Sequence, residues 1–320
     1  MIHPIPSGTR DVLPDEMREL RRITAALSSV YEAEGYGEVW TPALEYEDVL
    51  RRAGDGAQIG YRVVDDHGAV LALRSDMTVP IARLVATRYA SAQPPLRFSY
   101  TAHAYRAVRP HRGQMREFLQ SGVELVGAPA PEGTAELLGV LCRALDATGL
   151  RGYRIALGDA SLYPALIRAL ELGEETERRL LHELVTRDFV GLERAVRELG
   201  LPDEKAEALL SVPRLRGGPE VLDARVGGSH LADAVDGLRR LLGLLDAAVA
   251  DRVIFDLGLS RGLGYYTGAV FDVLDAGFGA PLGGGGRYDD LLGRFGRSLP
   301  AVGFALGVDR LHLALMEATG

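Results

Sequence analysis

The 320-residue sequence holds one cysteine (Cys142), one lysine (Lys205) and no asparagine. A lone cysteine excludes an internal disulfide and leaves no thiolate cluster for a structural zinc. No apolar run reaches the roughly 20 residues that span a bilayer. The opening "MIHPIPSGTRDVLPDE" lacks the apolar core of a secretory signal. No membrane partner is therefore expected, and a cytoplasmic location is the default. The seven histidines show no metal-ligand spacing, so no metal is expected. The glycine run at 283–286 is followed by no Gly-Lys-Ser/Thr, and no dinucleotide fingerprint is present. No cofactor is expected. A net charge of −8 argues against a surface built to grip RNA broadly. Scarce Lys and Asn beside abundant Arg, Ala, Leu and Gly fit coding bias or heat adaptation rather than function.

What is present is an ordinary globular composition, 47% hydrophobic and 25% charged. The length suits one large domain with an insertion, or two domains. Leu20, Ile23, Leu27, Val30 and Tyr31 recur at helical spacing, which predicts a helix over 14–34 with Asp15 as its cap. A strand is expected over 38–47, with Pro42 marking a sheet edge or a subunit interface. A hairpin follows over 61–76, turning at Asp65–Gly68, then a helix over 78–90. Strands at 96–107 and 118–127 flank the basic loop "VRPHRGQMRE". A helix over 131–148 and a strand over 151–159 come next. Residues 160–250 read as mostly helical, an insertion into a β-rich chain. Strands at 252–259, 264–275 and 301–307, a short helix near 288–294 and a closing helix from 308 complete an α+β fold with a mainly antiparallel sheet.

The stretch "FLQSGVELVG" (118–127) places Gln120, Gly122 and Glu124 on one strand face. A carboxylate on an inner face is costly unless paired. Tyr266, Gly268 and Val270 repeat the combination of polar group and glycine, which suggests a small polar ligand on the sheet. Glycines marking bulges explain the same pattern equally well. Asp76 and Thr78 stand at a helix entry, where capping alone accounts for Asp76. Arg106, Arg109, Arg112 and Arg116 suit a phosphate or carboxylate, or a solvated turn. Gly303, Ala305 and Gly307 share one smooth strand face, suited to a flat base or to tight helix–sheet packing, with Arg310 beyond it at a helix start.

Taken together, these segments resemble the catalytic domain of histidyl-tRNA synthetases. "GTRDVLPDE" is similar to that family's N-terminal segment, and "YRAVRPHRGQMREFLQSGVELVG" to class II motif 2. "RGLGYYTGAVF" and "GGGGRYDDLL" resemble the two histidine-specific signatures, and "AVGFALGVDRL" resembles motif 3. The resemblance implies a class II aminoacyl-tRNA synthetase-like six-stranded antiparallel sheet flanked by helices, interrupted by the helical insertion at about 160–250, and a dimer. It implies a histidine site: Asp76 and Thr78 for the ammonium, Gln120 for the carboxylate end, Glu124 with Tyr266 for the imidazole, and Arg261 and Tyr265 alongside. Neutral imidazole offers one donor and one acceptor, which an acid and a phenol can both meet.

The sequence departs from the synthetase pattern at two signature positions. Val108 stands where motif 2 carries glutamate, and Gly264 where the first histidine signature carries aspartate. The sequence ends ten residues after Arg310, where a synthetase continues into an anticodon-binding domain. Arg106, Arg261 and Arg310 are retained, and with Arg109 they are candidates for a vestigial nucleotide or anion site. This combination resembles the regulatory subunits of ATP phosphoribosyltransferase. That resemblance implies no catalytic residue and no tRNA partner. It implies dimers in a hetero-octamer with the short-form catalytic subunit, for histidine biosynthesis under allosteric feedback by L-histidine. The alternative is an enzyme that activates histidine as histidyl-adenylate.

Overall fold

In the computed structural model, residues 5–54, 59–107, 115–223 and 231–317 are described. Helix α1 (Pro14–Ala33) buries Leu20, Ile23, Leu27 and Tyr31, the stripe that its spacing predicts. Asp15 does not cap it. The helix starts at Pro14, a residue suited to a first turn, and Asp15 lies inside that turn paired with Arg18. The single strand expected over 38–47 is two, β1 (Gly37–Glu38) and β2 (Leu44–Tyr46), in different sheets; Pro42 falls between them. Helix α2 (Glu47–Arg51) leads to the hairpin of β3 (Arg62–Val64) and β4 (Val70–Leu73). Its turn is tied by Asp65 Oδ1, which accepts from the amides of His67 and Ala69. Then follow α3 (Thr78–Arg88), β5 (Leu96–Tyr105), β6 (Glu117–Val126), α4 (Glu132–Thr148) and β7 (Arg154–Asp159).

Helices α5 (Leu162–Ala169), α6 (Glu174–Thr186), α7 (Phe189–Glu198) and α8 (Asp203–Ser211) lead to β8 (Arg216–Gly217). Helices α9 (Ala232–Leu244) and α10 (Ala247–Ala250) complete this segment. Strands β9 (Val253–Asp256), β10 (Ala269–Leu274), β11 (Gly283–Arg287) and β12 (Ala301–Gly307) precede the last helix, α11 (Val308–Glu317). The strand expected over 264–275 begins only at Ala269, so Tyr265 and Tyr266 lie in a loop. The helix expected near 288–294 is a 3-10 turn at Leu292–Phe295.

The sheet is not a six-stranded antiparallel one. Among the described residues it has nine strands in the order β1-β5-β6-β12-β11-β10-β7-β9-β8, with a second sheet ordered β2-β4-β3. The six consecutive strands from β5 to β7 pair antiparallel. At one edge β1 adds parallel to β5. At the other, β9 adds parallel to β7, and β8 pairs antiparallel with β9. The sequence pattern carried five of the six central strands, because long alternating strands announce themselves; β11, four glycines and an arginine read from the sequence as a loop, has no alternation. Two-residue strands such as β1 and β8 carry no periodicity to read.

Register divides the large sheet into two faces. Val123, Leu125, Val302, Phe304, Leu306, Phe271, Val273, Ile155 and Leu157 point to one side. There they join α1, α4 and α11 in one apolar cluster, which also takes in Leu162, Leu166, Leu180, Leu192, Leu209 and Leu238 of the segment between β7 and β9. The opposite face carries Gln120, Gly122 and Glu124 and is covered in part by α3.

Gly285 shows how tightly β11 and β12 approach. A Cβ there would press into the Gly303 carbonyl and stand 2.7 Å from Phe304 Cα, backbone atoms that cannot yield. Gly237, inside α9, has nothing within 4 Å of an added Cβ. Gly285→Ala is therefore expected to lower stability by about 2–3 kcal/mol. Gly237→Ala is expected to raise it by about 1 kcal/mol. Chemical denaturation of the two variants checks both signs.

Candidate functional site: a buried carboxyl on the glycine-rich face

Glu124 is the centre of the opposite face. It is 1% exposed, and its neighbours across β12 and β5 are Gly303 and Phe98. Thr78 Oγ1, at the start of α3, donates to its Oε1 at 2.8 Å. The Tyr288 hydroxyl donates to its Oε2. No cation pairs with it among the described residues. Burial pushes the Glu124 carboxyl up to about 8; the Tyr288 and Thr78 hydroxyls pull it down, and Asp76 raises it further. At neutral pH the site thus contains a protonated acid that can donate a hydrogen bond.

Around it stand the other residues singled out in the sequence. Asp76 caps α3, its Oδ1 accepting from Val79 N at 3.1 Å, and burial raises its pKa while Arg106 opposes the shift. The expected cap is real, yet the carboxylate also faces the site. Tyr265 packs edge-on against Tyr288, with ring centroids 5.8 Å apart, and lies 5.0 Å from the Tyr266 ring. Burial raises the pKa of both Tyr265 and Tyr266, and both lie within electrostatic reach of Glu124 and Asp76. The phenol bonded to Glu124, however, is Tyr288. Sequence reasoning quoted it within "GGGGRYDDLL" without assigning it a role; its position directly after a glycine strand was the one available signal.

Three arginines converge from separate elements. Arg106 follows β5 and stacks over Phe118 at 5.1 Å. Burial lowers its pKa, and the like charge of Arg261 adds to that, while Asp76 opposes it. Arg261 donates to the Phe271 carbonyl at 3.1 Å and to Asp272. Burial disfavours its charge, but Tyr266 and Asp272 outweigh burial and its pKa rises. Arg310, at the start of α11, donates to the Pro281 carbonyl. Burial of its stem, Arg106 and Arg261 together lower its pKa. Such a cluster favours an anion. Arg109 and Val108 lie outside the described residues. Gly264 has φ +66°, a left-handed conformation that glycine takes at little cost.

The glycines do not leave a bare floor. A Cβ at Gly303 would fall on the Glu124 carboxyl, and one at Gly284 on the Arg261 guanidinium. A Cβ at Gly122 would stand 2.7 Å from the Tyr100 hydroxyl, and one at Gly286 2.9 Å from Tyr266 Cδ1. Arg310 Cδ lies 3.3 Å from the Gly307 position, so the strand face offered to a flat base is covered there by the protein's own side chain. Gly268 needs no missing side chain, since its nearest neighbour is 3.7 Å away. The missing side chains make room for the polar cluster itself.

That cluster is incompletely satisfied. Gln120 Oε1, Arg106 Nε, Arg261 Nε and the Tyr265 hydroxyl are buried with no hydrogen-bond partner of acceptable geometry. Buried polar atoms are seldom left so. These four belong to the residues singled out on this face, and together they offer a polar ligand both donors and acceptors; Tyr31, Tyr36 and Ser211 carry further unpartnered hydroxyls elsewhere in the fold. Among the described residues no group of three or more His, Cys, Asp or Glu side chains could hold a metal, and no helix is long and apolar enough to cross a membrane.

The family model for histidyl-tRNA synthetase matches residues 8–311. Two curated proteins called ATP phosphoribosyltransferase regulatory subunit align along nearly the whole chain. The one from Desulforamulus reducens is 40% identical over 98% of this chain and 79% of its own length. The one from Symbiobacterium thermophilum is 44% identical over 97% and 79%. The chain belongs to the ATP phosphoribosyltransferase regulatory subunit family. A solved structure described as an ATP phosphoribosyltransferase regulatory subunit/histidyl-tRNA synthetase, from Bacillus halodurans, superposes with a TM-score of 0.90 at 32% identity, covering 98% of this chain and 84% of that one. The regulatory subunit family thus carries the histidyl-tRNA synthetase fold, and the polar cluster sits where the two histidine signatures and motif 2 meet.

Because the folded protein holds the Glu124 proton up to about 8, against an ordinary value near 4.5, it binds more protons than the unfolded chain between those values. The sign follows: this group's contribution to stability is fully present below about pH 4.5 and is lost as pH rises through 8. Glu124→Gln keeps the shape without the ionisation. Its stability relative to the wild type is expected to improve steadily across that window, by a few kcal/mol at its end. Unfolding midpoints of the two proteins at matched pH values check this; parallel curves would contradict the raised pKa.

Proposed function

We propose that this chain is a non-catalytic, histidine-sensing subunit of ATP phosphoribosyltransferase. It forms dimers, assembles with the short-form catalytic subunit into a hetero-octamer, is required for that subunit's activity, and carries feedback inhibition by L-histidine in histidine biosynthesis. The observation that supports the ligand is the buried Glu124 carboxyl, without a cation, in a site that also holds unpartnered polar atoms of Gln120, Arg106, Arg261 and Tyr265. Histidine answers Glu124 and three of these atoms. Its ring meets Glu124 as acceptor or, after proton transfer, as a cation. Its carboxylate suits the arginine Nε donors and its ammonium suits Asp76; Gln120, expected at the carboxylate end, presents an unpartnered acceptor that suits the ammonium instead, and Thr78, expected at the ammonium, donates to Glu124. A side chain without ring nitrogens would leave Glu124 buried and unpaired, so the site discriminates by omission. Feedback then requires that histidine bind the inhibited arrangement of the assembly more tightly than the active one.

The membership of the arginine cluster favours one rival, histidine activation to histidyl-adenylate at Arg106, Arg261 and Arg310. Histidine-dependent exchange of pyrophosphate into ATP would support it.

Two experiments test the main reading. Phosphoribosyl transfer by a cognate short catalytic subunit should rise at least tenfold when this chain is added, and histidine should reverse the gain; no stimulation rejects the assignment. Calorimetry of histidine binding should give an affinity that is greatest between about pH 6.5 and 8. The complex holds one proton between Glu124 and the imidazole whichever group keeps it. Below the ring's ordinary pKa of about 6.5 a proton must leave, and above the Glu124 value of about 8 one must be taken up. Each limb approaches tenfold per pH unit. Glu124→Gln should bind more weakly and lose the alkaline limb that Glu124 contributes; an unchanged limb would remove Glu124 from the ring site.

A further inference from the structure

Among the described residues, the helical segment between β7 and β9 reaches the polar cluster at the turn between α6 and α7. Helix α6 ends at Thr186, and Arg187 caps it with φ +56°, a backbone conformation that glycine or asparagine takes more readily than arginine. The turn is fixed on both sides. Arg187 N donates to the Leu184 carbonyl at 3.0 Å, and the Asp188 carboxylate accepts from Gly191 N at 2.8 Å to start α7. The Arg187 guanidinium, half exposed to solvent, lies 3.9 Å from Asp272 Oδ2, while Oδ1 of the same carboxylate is bonded to Arg261. Asp272 is 7% exposed, so it is a nearly buried anion shared by one site arginine and one arginine from outside the site. The same turn touches the site loop through packing, since a Cβ on Gly262 would stand 2.9 Å from Val185 Cγ1.

We propose that Arg187 is a positioning residue for the ligand site: by holding Asp272 it fixes Arg261, and so couples the α6–α7 turn to the binding of histidine. Three observations support this. Asp272 lies on the site face of β10, opposite Gly284, whose missing Cβ admits the Arg261 guanidinium. Arg261 is anchored at one nitrogen by Asp272 and the Phe271 carbonyl, which leaves its Nε aimed elsewhere, buried and unpartnered. Arg187 also lies in the field of Asp256, on β9, which itself feels Asp272, so losing it weakens the hold on two neighbouring acids. Without Arg187, Asp272 keeps one cation instead of two, and the carboxylate that anchors Arg261 loses its second restraint. Coupling is reciprocal, so ligand bound at Arg261 must in turn steady the turn that carries Arg187.

The inference rests on histidine being the ligand, and its test separates the two claims. Calorimetry with L-histidine compares the wild type with Arg187→Gly, Arg187→Lys and both changes on an Asp272→Asn background. Glycine suits the left-handed position, so Arg187→Gly should keep or raise the unfolding temperature while weakening histidine binding about threefold to tenfold. Arg187→Lys should bind within about twofold of the wild type, because the charge is retained. On the Asp272→Asn background, Arg187→Gly should have no further effect. Arg187→Asn, which also tolerates the backbone, provides a second neutral variant should the glycine variant be poorly folded. Wild-type affinity in both neutral variants, or an equal loss with and without Asp272, overturns the role of Arg187. A wild-type protein that binds no histidine instead rejects the ligand reading, before any variant is compared.

Discussion

A carboxyl group with no cation beside it sits inside this sheet, and the arrangement of the site follows from that. Glu124 meets two hydroxyls, from Thr78 and Tyr288, and its own burial keeps it protonated near neutral pH. A paired arginine would have neutralised it and ended its usefulness as a donor. The three arginines of the site stand instead with Asp272, Asp76 and backbone carbonyls, held by other partners. Acid and bases thus share one face without cancelling each other, which is what recognition of a zwitterion with a basic ring requires.

Glycine is the second constraint. On β11 and β12 it serves two faces for two reasons. Gly285, on the core side, allows adjacent backbones to pack without a side chain between them. Gly284 and Gly303, on the site side, create volume that Arg261 and Glu124 then occupy. Alanine at Gly284 or Gly303 would collide with these groups, and at Gly284 with the Phe271 carbonyl of the neighbouring strand as well.

Much of this was legible in the sequence because strand alternation is a rigid rule. Gln120 and Glu124 had to share a face, and Asp76 and Thr78 had to open a helix. Other features left no periodic trace. Tyr266 reads as a strand residue, but Gly262 to Gly268 form a loop that brings both tyrosines over the sheet. Tyr288 became visible only once β12 was seen to hold β11 beside β6, which brings the residue after β11 within reach of Glu124. The bareness of the Gly303–Gly307 face was misread, because sequence shows which side chain is missing and not which neighbour fills the gap. Arg187 carries no motif at all; its meaning comes from a turn geometry and a partner, Asp272, 85 residues away.

The parallel pairing of β9 with β7 bears on the segment between them. Neighbouring strands that run in the same direction cannot be joined by a tight hairpin; the chain must travel the length of the sheet and return. Helices α5 to α10 are therefore the return path itself, and not an ornament hung from a loop. Excising them for a short linker would leave β9 with no route to its place, and the far edge of the sheet would be lost with them. Variation within this family can restyle that path, but the topology forbids abolishing it.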